Sequence, residues 1–259
     1  MNIIVLIKQV PAPEAIIKVT PDNKSLDVEN KHVLNFFDEL AIEAALRIKE
    51  KVGGAVTVIS LSHQRTVEGL RTALAMGANN TLLINDPAFK NNDAYATARS
   101  LAEAIKQRTF DLILCGKEAM DDGSTQVGPA VAEFLGIPHI STITKLEIAY
   151  DKKNARVERQ IEGGKEIINC SLPALFTAQK GLNEPRVPLV SGIMKAMRAK
   201  IEEINLAALG LSLDQIAPKI RILKYSSPPK RPQVKIIEGE PEDKAKTLIR
   251  LLKEESKII

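Results

Sequence analysis

Residues 110–136, FDLILCGKEAMDDGSTQVGPAVAEFLG, hold the residue types best suited to an anionic ligand. A short apolar run, Asp111 to Cys115, ends at Gly116 and gives way to a polar loop. That loop is expected to open at Ser124 or Thr125 into a helix, because Val127, Val131, Phe134 and Leu135 recur at helical spacing. Strand, loop and helix start in this order form the place where open α/β sheets hold phosphates. The free N–H groups of the first turn point at the ligand, and the helix dipole favours its charge. Gly123 suits the turn, and Gly128 with Pro129 suits a close backbone approach. Most strand–loop–helix turns bind nothing, so the pattern alone leaves a plain connection open. The length and polarity of the loop argue for a nucleotide, since ordinary connections run to about 2–6 residues. Neither G-x-G-x-x-G nor G-x-x-x-x-G-K-[ST] occurs in the chain.

The elements that must position this loop follow a strand–helix rhythm. Asn2 to Val10 reads as one continuous apolar strand of the kind buried on both faces of a parallel sheet, and Pro11 and Pro13 then hold an extended loop. In NFFDELAIEAALRIKEK, Asn35 and Asp38 have the spacing of a capping box, with Gly53-Gly54 as the stop. AVTVISLS is a second strand, Arg65 to Met76 a helix ended by Gly77, and TLLIN a third strand. Asp93 is expected to cap a helix through Lys106, which leads to the fourth strand. Alternation of this kind predicts an α/β fold with a doubly wound, mostly parallel sheet. After about residue 138, three extended runs with turns at Asp151–Asn154 and Gly163-Gly164 predict an added antiparallel hairpin. Residues 181–192 form a Pro-rich loop before a short basic segment over 193–204. Beyond 205 the composition is linker-like and ends in a helix, Glu242 to Glu255. The expected division is a nucleotide-binding domain over 1–205 and, over 206–259, an extended C-terminal arm that packs on a partner.

Composition excludes several classes. The 259 residues carry a net charge of +4 with 3% aromatics and no Trp, and the basic residues form no stripe, so nucleic acid is not the expected partner. Cys115 and Cys170 lack C-x-x-C or His spacing and read as free thiols in a reducing compartment; no metal site is expected. The N-terminal apolar run is too short for a membrane span and has no basic start before it, which predicts a cytoplasmic chain without direct membrane insertion. KQVPAP cannot serve as the Gly-rich loop of an ATP-pyrophosphatase. His32, His63 and His139 stand in no hydrolase constellation. A stress-type nucleotide-binding α/β protein remains the alternative class.

Five segments in order, IKQVPAPEAIIKV, HVLNFFDELAIEAALRIKEK, RTALAMGA, GKEAMDDGSTQVG and LNEPRVPLVSGIMKAMRAKIEEI, resemble the beta subunit of electron transfer flavoproteins over nearly the whole chain. The resemblance implies a heterodimer with an alpha subunit, carrying electrons from flavin dehydrogenases of acyl-CoA type to a membrane or other acceptor, without catalysis of its own. It implies FAD shared with the alpha subunit and a structural AMP in this chain. The AMP contacts would fall on Leu6, on Asn35, Phe36, Phe37 and Asp38, on Leu61, and along Gly116 to Val127. In that last stretch Gly123, Ser124, Thr125 and Gln126 would hold the phosphate, and Asp121 and Asp122 would shape the turn or face ribose hydroxyls. Phe37 matches an aromatic that approaches the alpha-subunit flavin, with a core Phe as the plainer reading. DDGSTQVGP is close to the variant of electron-bifurcating members, in which a second FAD replaces AMP, whereas NEPRVP is similar to the ordinary carriers. Both ligands therefore stay open. Gln160 stands where mitochondrial-type proteins carry a Glu, which removes a carboxylate for any inter-subunit ion pair. The resemblance also implies that Asn183 to Met194 docks dehydrogenases. Asn183, Glu184, Pro185 and Arg186 would belong to that loop, with Leu189 and Val190 as the apolar anchors and Lys195 as part of a basic rim.

Overall fold

A computed structural model describes residues 1–63, 67–231, 233–255 and 257–258. Strand β1 (Asn2–Ile7) is buried from Ile3 onward and is the hub of the sheet. Its expected continuation to Val10 does not occur. Lys8 turns its N–H away from the ladder to the Asp38 carboxylate at 2.7 Å, and β2 (Gln9–Pro11) pairs instead with a later strand. After β3 (Ile17–Val19) and β4 (Leu26–Val28), which pair with each other, β5 (His32–Leu34) is the partner of β2.

The rhythm then runs α1 (Phe36–Val52), β6 (Ala55–Ser62), α2 (Glu68–Met76), β7 (Asn80–Asn85), α3 (Ala94–Lys106) and β8 (Leu112–Gly116). Arg65, the expected first residue of the second helix, lies outside the described residues; the described helix begins at Glu68. Asp93 caps α3 as expected, accepting from Ala96 N. Next come α4 (Val127–Leu135), β9 (His139–Ile148), β10 (Asn154–Ile161), β11 (Gly164–Ser171) and β12 (Ala174–Ala178). α5 (Val190–Arg198) starts inside the expected Pro-rich loop and takes in the first half of the basic segment; it is followed by β13 (Glu202–Ile204) and, near the end, α6 (Pro241–Glu254).

The main sheet has the order β11-β10-β9-β12-β8-β1-β6-β7-β13. β1 is parallel to both β6 and β8, and β7, β12 and β13 continue the parallel pairing. β9 is parallel to β12, and β10 is antiparallel to both β9 and β11, so the extra hairpin extends the sheet past β12. Chain order runs outward from β1 through β6 and β7, then restarts at β8 on the other side of β1. That reversal opens a crevice at the carboxyl ends of β1 and β8. Alternate residues of β1 feed two cores. Ile3, Val5 and Ile7 pack with α1 and α2, while Ile4 and Leu6 pack with α3 and α4.

Residues 206–216 stay with the second core through buried Leu206, Leu209, Leu211 and Ile216. α6 buries none of its residues. Among the described residues, no helix is long and apolar enough to cross a membrane.

α5 rests on α2 at Gly192, where an added Cβ would stand 2.6 Å from the Ala75 carbonyl oxygen. Arg71 secures the far end by donating to the Ala196 and Met197 carbonyls at 2.6 and 2.9 Å. Gly192→Ala should therefore force the helices apart and cost about 1–3 kcal/mol, the usual range for overpacking. Chemical denaturation of the two proteins measures it, and equal midpoints would show that the contact yields freely.

Candidate functional site

The crevice is built first by the start of α1. Asn35 is the N-cap residue, but its side chain makes no capping bond and the expected Asn35/Asp38 capping box is absent. Both side chains are used across the chain instead. Asn35 donates to the Glu118 carbonyl at 2.8 Å and accepts from Met120 N at 3.1 Å. Asp38 accepts from Lys8 N at 2.7 Å and Gly116 N at 2.8 Å, joining the carboxyl ends of β1 and β8. Gly116 has to be glycine for this contact, since a Cβ would lie 2.5 Å from Asp38 Oδ1 and 2.7 Å from Phe37 Cβ.

The polar loop then turns over the crevice. Asp121 and Asp122 both accept from Lys8 Nζ, at 2.8 and 3.1 Å, and Asp122 also accepts from Ser124 N at 2.9 Å. Thr125 sits in the left-handed region at φ 56°, a conformation that a β-branched residue adopts at a cost of roughly 1–3 kcal/mol. For that reason the helix does not open at Ser124 or Thr125. It begins at Val127 with Gln126 as N-cap residue. Pro129 has no N–H to offer. Among the described residues nothing accepts from the N–H groups of Thr125, Gln126, Val127 or Gly128. Gly128 lies against Cys115, where a Cβ would be 2.9 Å from Sγ.

A cavity of about 540 Å³ lies between these elements, within the range of small-molecule sites. Leu6, Asn35, Asp38, Leu61 and Gly116 line it, as do Asp121, Asp122 and Ser124 through Val127. The expected contacts Phe36, Phe37 and Gly123 do not. Phe36 faces outward and meets Phe37 edge-on at 5.4 Å, and Phe37 carries Lys117 Nζ 4.8 Å above its ring. Gly123 shapes the turn at φ 59°. Sequence reasoning missed Lys8, Asn92, Asp93 and Ile220 on the wall. Lys8 had a signal, a charge closing an apolar run; Ile220 had none, because a residue of the arm reaches the cavity only through the tertiary fold. Asp93 Oδ2 holds Ile220 there by accepting from Lys219 N and Ile220 N.

Charge at the mouth is largely internal. Burial works against Lys8, yet its bonds to Asp121 and the charges of Asp121 and Asp122 outweigh that and hold its pKa above the ordinary value. Burial likewise works against the Asp122 carboxylate, and the bond from Ser124 N together with Lys8 outweighs it, so its pKa is lowered. An anion placed in the cavity would therefore meet amide donors and a helix N-terminus, with Lys8 already paired. Burial raises the Cys115 thiol, with the Asp38 charge adding to the effect, so it stays neutral.

The expected docking segment lies elsewhere, along α1. Asn183 donates to the Leu40 carbonyl, and Arg47 to the Glu184 carbonyl. Arg186 is engaged by Glu43 and Glu50 of α1. Burial opposes the Glu43 charge, but bonds from Arg186 and Arg47 prevail and lower its pKa. Leu189 and Val190 are exposed, and Lys195 lies in the last turn of α5.

The fold and crevice define a doubly wound α/β protein with a ligand-sized cavity at its topological switch point. The family model described as electron transfer flavoprotein domain matches residues 25–209. The chain is 43% identical over 260 residues to the electron transfer flavoprotein subunit beta of Bacillus subtilis (strain 168), covering 100% of both proteins. It is 45% identical over 216 residues to that of Thermoanaerobacterium thermosaccharolyticum, covering 83% of this chain and 82% of the other. Against the Bos taurus protein it is 36% identical over 235 residues, covering 89% and 90%. The chain belongs to the electron transfer flavoprotein beta-subunit family.

Burial pushes the Asp38 carboxyl from 3.8 up to about 7, against the pull of the Lys8 and Gly116 amides. Between these values the unfolded chain has released its proton and the folded chain keeps it. The group's contribution to stability is therefore complete at low pH and declines as pH rises toward 7. A carbon-13 NMR titration of the Asp38 carboxyl should show its midpoint near 7, and a midpoint near 4 would contradict this.

Proposed function

We propose that the chain is the beta subunit of a heterodimeric electron transfer flavoprotein and that the cavity holds an adenine nucleotide, AMP in the first reading. The observation that carries the nucleotide assignment is that Thr125 to Gly128, at a helix start, line the crevice at the switch point and have N–H groups with no acceptor among the described residues. Leu6 and Leu61 flank the inner part of the cavity and suit the base and ribose, with the phosphate at the amides. Such a nucleotide adds stability by binding only the folded chain. Redox chemistry resides on the FAD shared with the alpha subunit. This chain contributes scaffold and docking surface and performs no catalysis. Electrons pass from flavin dehydrogenases, through the heterodimer, to a separate acceptor.

The alpha subunit is the proposed partner of the arm expected over 206–259. Past Ile216 that segment exposes Ile222, Leu223, Val234, Ile236, Leu248 and Ile249, an apolar surface that a partner can cover. The docking surface is proposed at Leu189 and Val190, on the stem of Asn183, Glu184, Pro185 and Arg186, with Lys195 at its rim. Neutral, small apolar anchors on a Pro-stiffened loop enter a pocket with little ordering cost.

A second reading, FAD in place of AMP, is favoured by one observation. The cavity continues to Asn92, whose Nδ2 is buried without a partner and offers a donor beyond the phosphate end. AMP and FAD share the adenylate half, so the amide contacts are common to both. Thr125→Glu places a carboxylate beside the phosphate position and should weaken nucleotide binding about ten- to a hundredfold, the equivalent of one charge-assisted hydrogen bond. Nucleotides released from the purified heterodimer are identified by mass. Loss of AMP with one flavin retained supports the first reading. A fall from two flavins to one supports the second. Full nucleotide content in the variant would place the phosphate elsewhere.

A further inference from the structure

One helix carries both the crevice and the docking loop. Asn35 and Asp38, at the start of α1, hold the loop over the cavity. Five residues on from Asp38, about 7.5 Å along the axis, stands Glu43. Its side chain is 3% exposed, and a carboxylate so placed needs partners to remain charged. It has them: Arg186 reaches Glu43 with its backbone N–H at 3.2 Å, Nε at 2.7 Å and Nη2 at 3.2 Å, and Arg47 Nε adds a bond of 2.6 Å. The Arg186 fork also spans Glu50 at 2.5 and 3.2 Å. Upstream, Asn183 Nδ2 bonds the Leu40 carbonyl at 2.9 Å and Arg47 Nη2 bonds the Glu184 carbonyl at 3.1 Å. Immediately past this stem the chain is bare: Val187, Leu189 and Val190 are 87%, 74% and 77% exposed.

From this change, tight on one side of Arg186 and open on the other, we infer that Glu43 is the positioning residue of the docking loop. Through Arg186 it sets the angle at which Leu189 and Val190 meet a dehydrogenase. A buried pair removed on one side leaves an uncompensated charge. A merely stabilising pair would have no reason to end where the apolar anchors begin. Pro185 and Pro188 limit the backbone on either side of the clamp, so a fixed Arg186 leaves the tip little freedom. Arg186 itself is then unavailable to a partner, and its contribution to docking is made from inside. The inference rests on the docking reading of this loop.

The test uses the purified heterodimer with Glu43→Gln, Arg186→Gln and Arg186→Lys, and Leu189→Asp as reference. An acyl-CoA dehydrogenase reduced by its thioester substrate is the electron donor, and dithionite serves as a donor that needs no docking. Glu43→Gln and Arg186→Gln should speed amide exchange at Val187, Leu189 and Val190. They should raise KM for the dehydrogenase about three- to tenfold, the equivalent of re-ordering one or two side chains. Reduction by dithionite, flavin content and kcat should be unchanged. Arg186→Lys keeps a charge against Glu43, which protects folding, but loses the fork and should fall between the wild type and Arg186→Gln. Slow transfer in Leu189→Asp beside unchanged exchange and KM in all the clamp variants overturns the inference and leaves the docking reading standing. Normal transfer in Leu189→Asp as well overturns both.

Discussion

The Asp38 carboxylate, accepting from the amides of Lys8 and Gly116, is the interaction on which the remaining architecture depends. It lies at the point where the sheet order reverses. The ends of β1 and β8 diverge there, and each leaves an amide that the ladder does not use. A short side chain with two oxygens can accept from both. Doing so stops β1 at Ile7, frees Lys8 to reach Asp121 and Asp122, and lays the polar loop over the crevice. The close approach this requires explains Gly116, and the burial it imposes explains the raised carboxyl.

α1 turns that local bond into long-range order. Its first turn holds the cavity and its middle holds the 183–186 segment, so the cavity and the 183–190 loop share one rigid element. The opposite side of the cavity is closed by Asp93, which caps α3 with one oxygen and holds Lys219 and Ile220 with the other. Helix α5 completes the surface, seated on α2 at Gly192. The sheet is therefore a platform on which helix starts do the positioning, and the side chains at those starts bind across the fold more than along the chain.

Those cross-fold bonds also mark the limit of what sequence conveys. Alternation of apolar strands and amphipathic helices made the doubly wound order and the added hairpin legible, because burial periodicity is local information. Asp93 was legible for the same reason: its bond to Ala96 lies three residues away. Asn35 and Asp38 have identical local credentials, yet their partners are Glu118, Met120, Lys8 and Gly116, and nothing within a helical turn announces that. β13 escaped notice because Glu202–Ile204 has no strand-like composition and owes its conformation to the edge of β7. The polar loop lines the cavity as expected, but its helix start was misjudged, since the left-handed Thr125 delays the helix to Val127. Lys8, Asn92 and Ile220 reach the wall from three separated segments, so only the fold could unite them.

The central claim is that the amides between Thr125 and Gly128 bind the phosphate of an adenylate. Amide proton–nitrogen NMR shifts of the nucleotide-stripped heterodimer, recorded as AMP is added, test it most directly. The account predicts large, saturable shifts at Thr125, Gln126, Val127 and Gly128, whose N–H groups have no acceptor among the described residues. Ser124, whose N–H is already bonded to Asp122, should move less. Saturable binding that leaves all four amides unmoved would contradict the account.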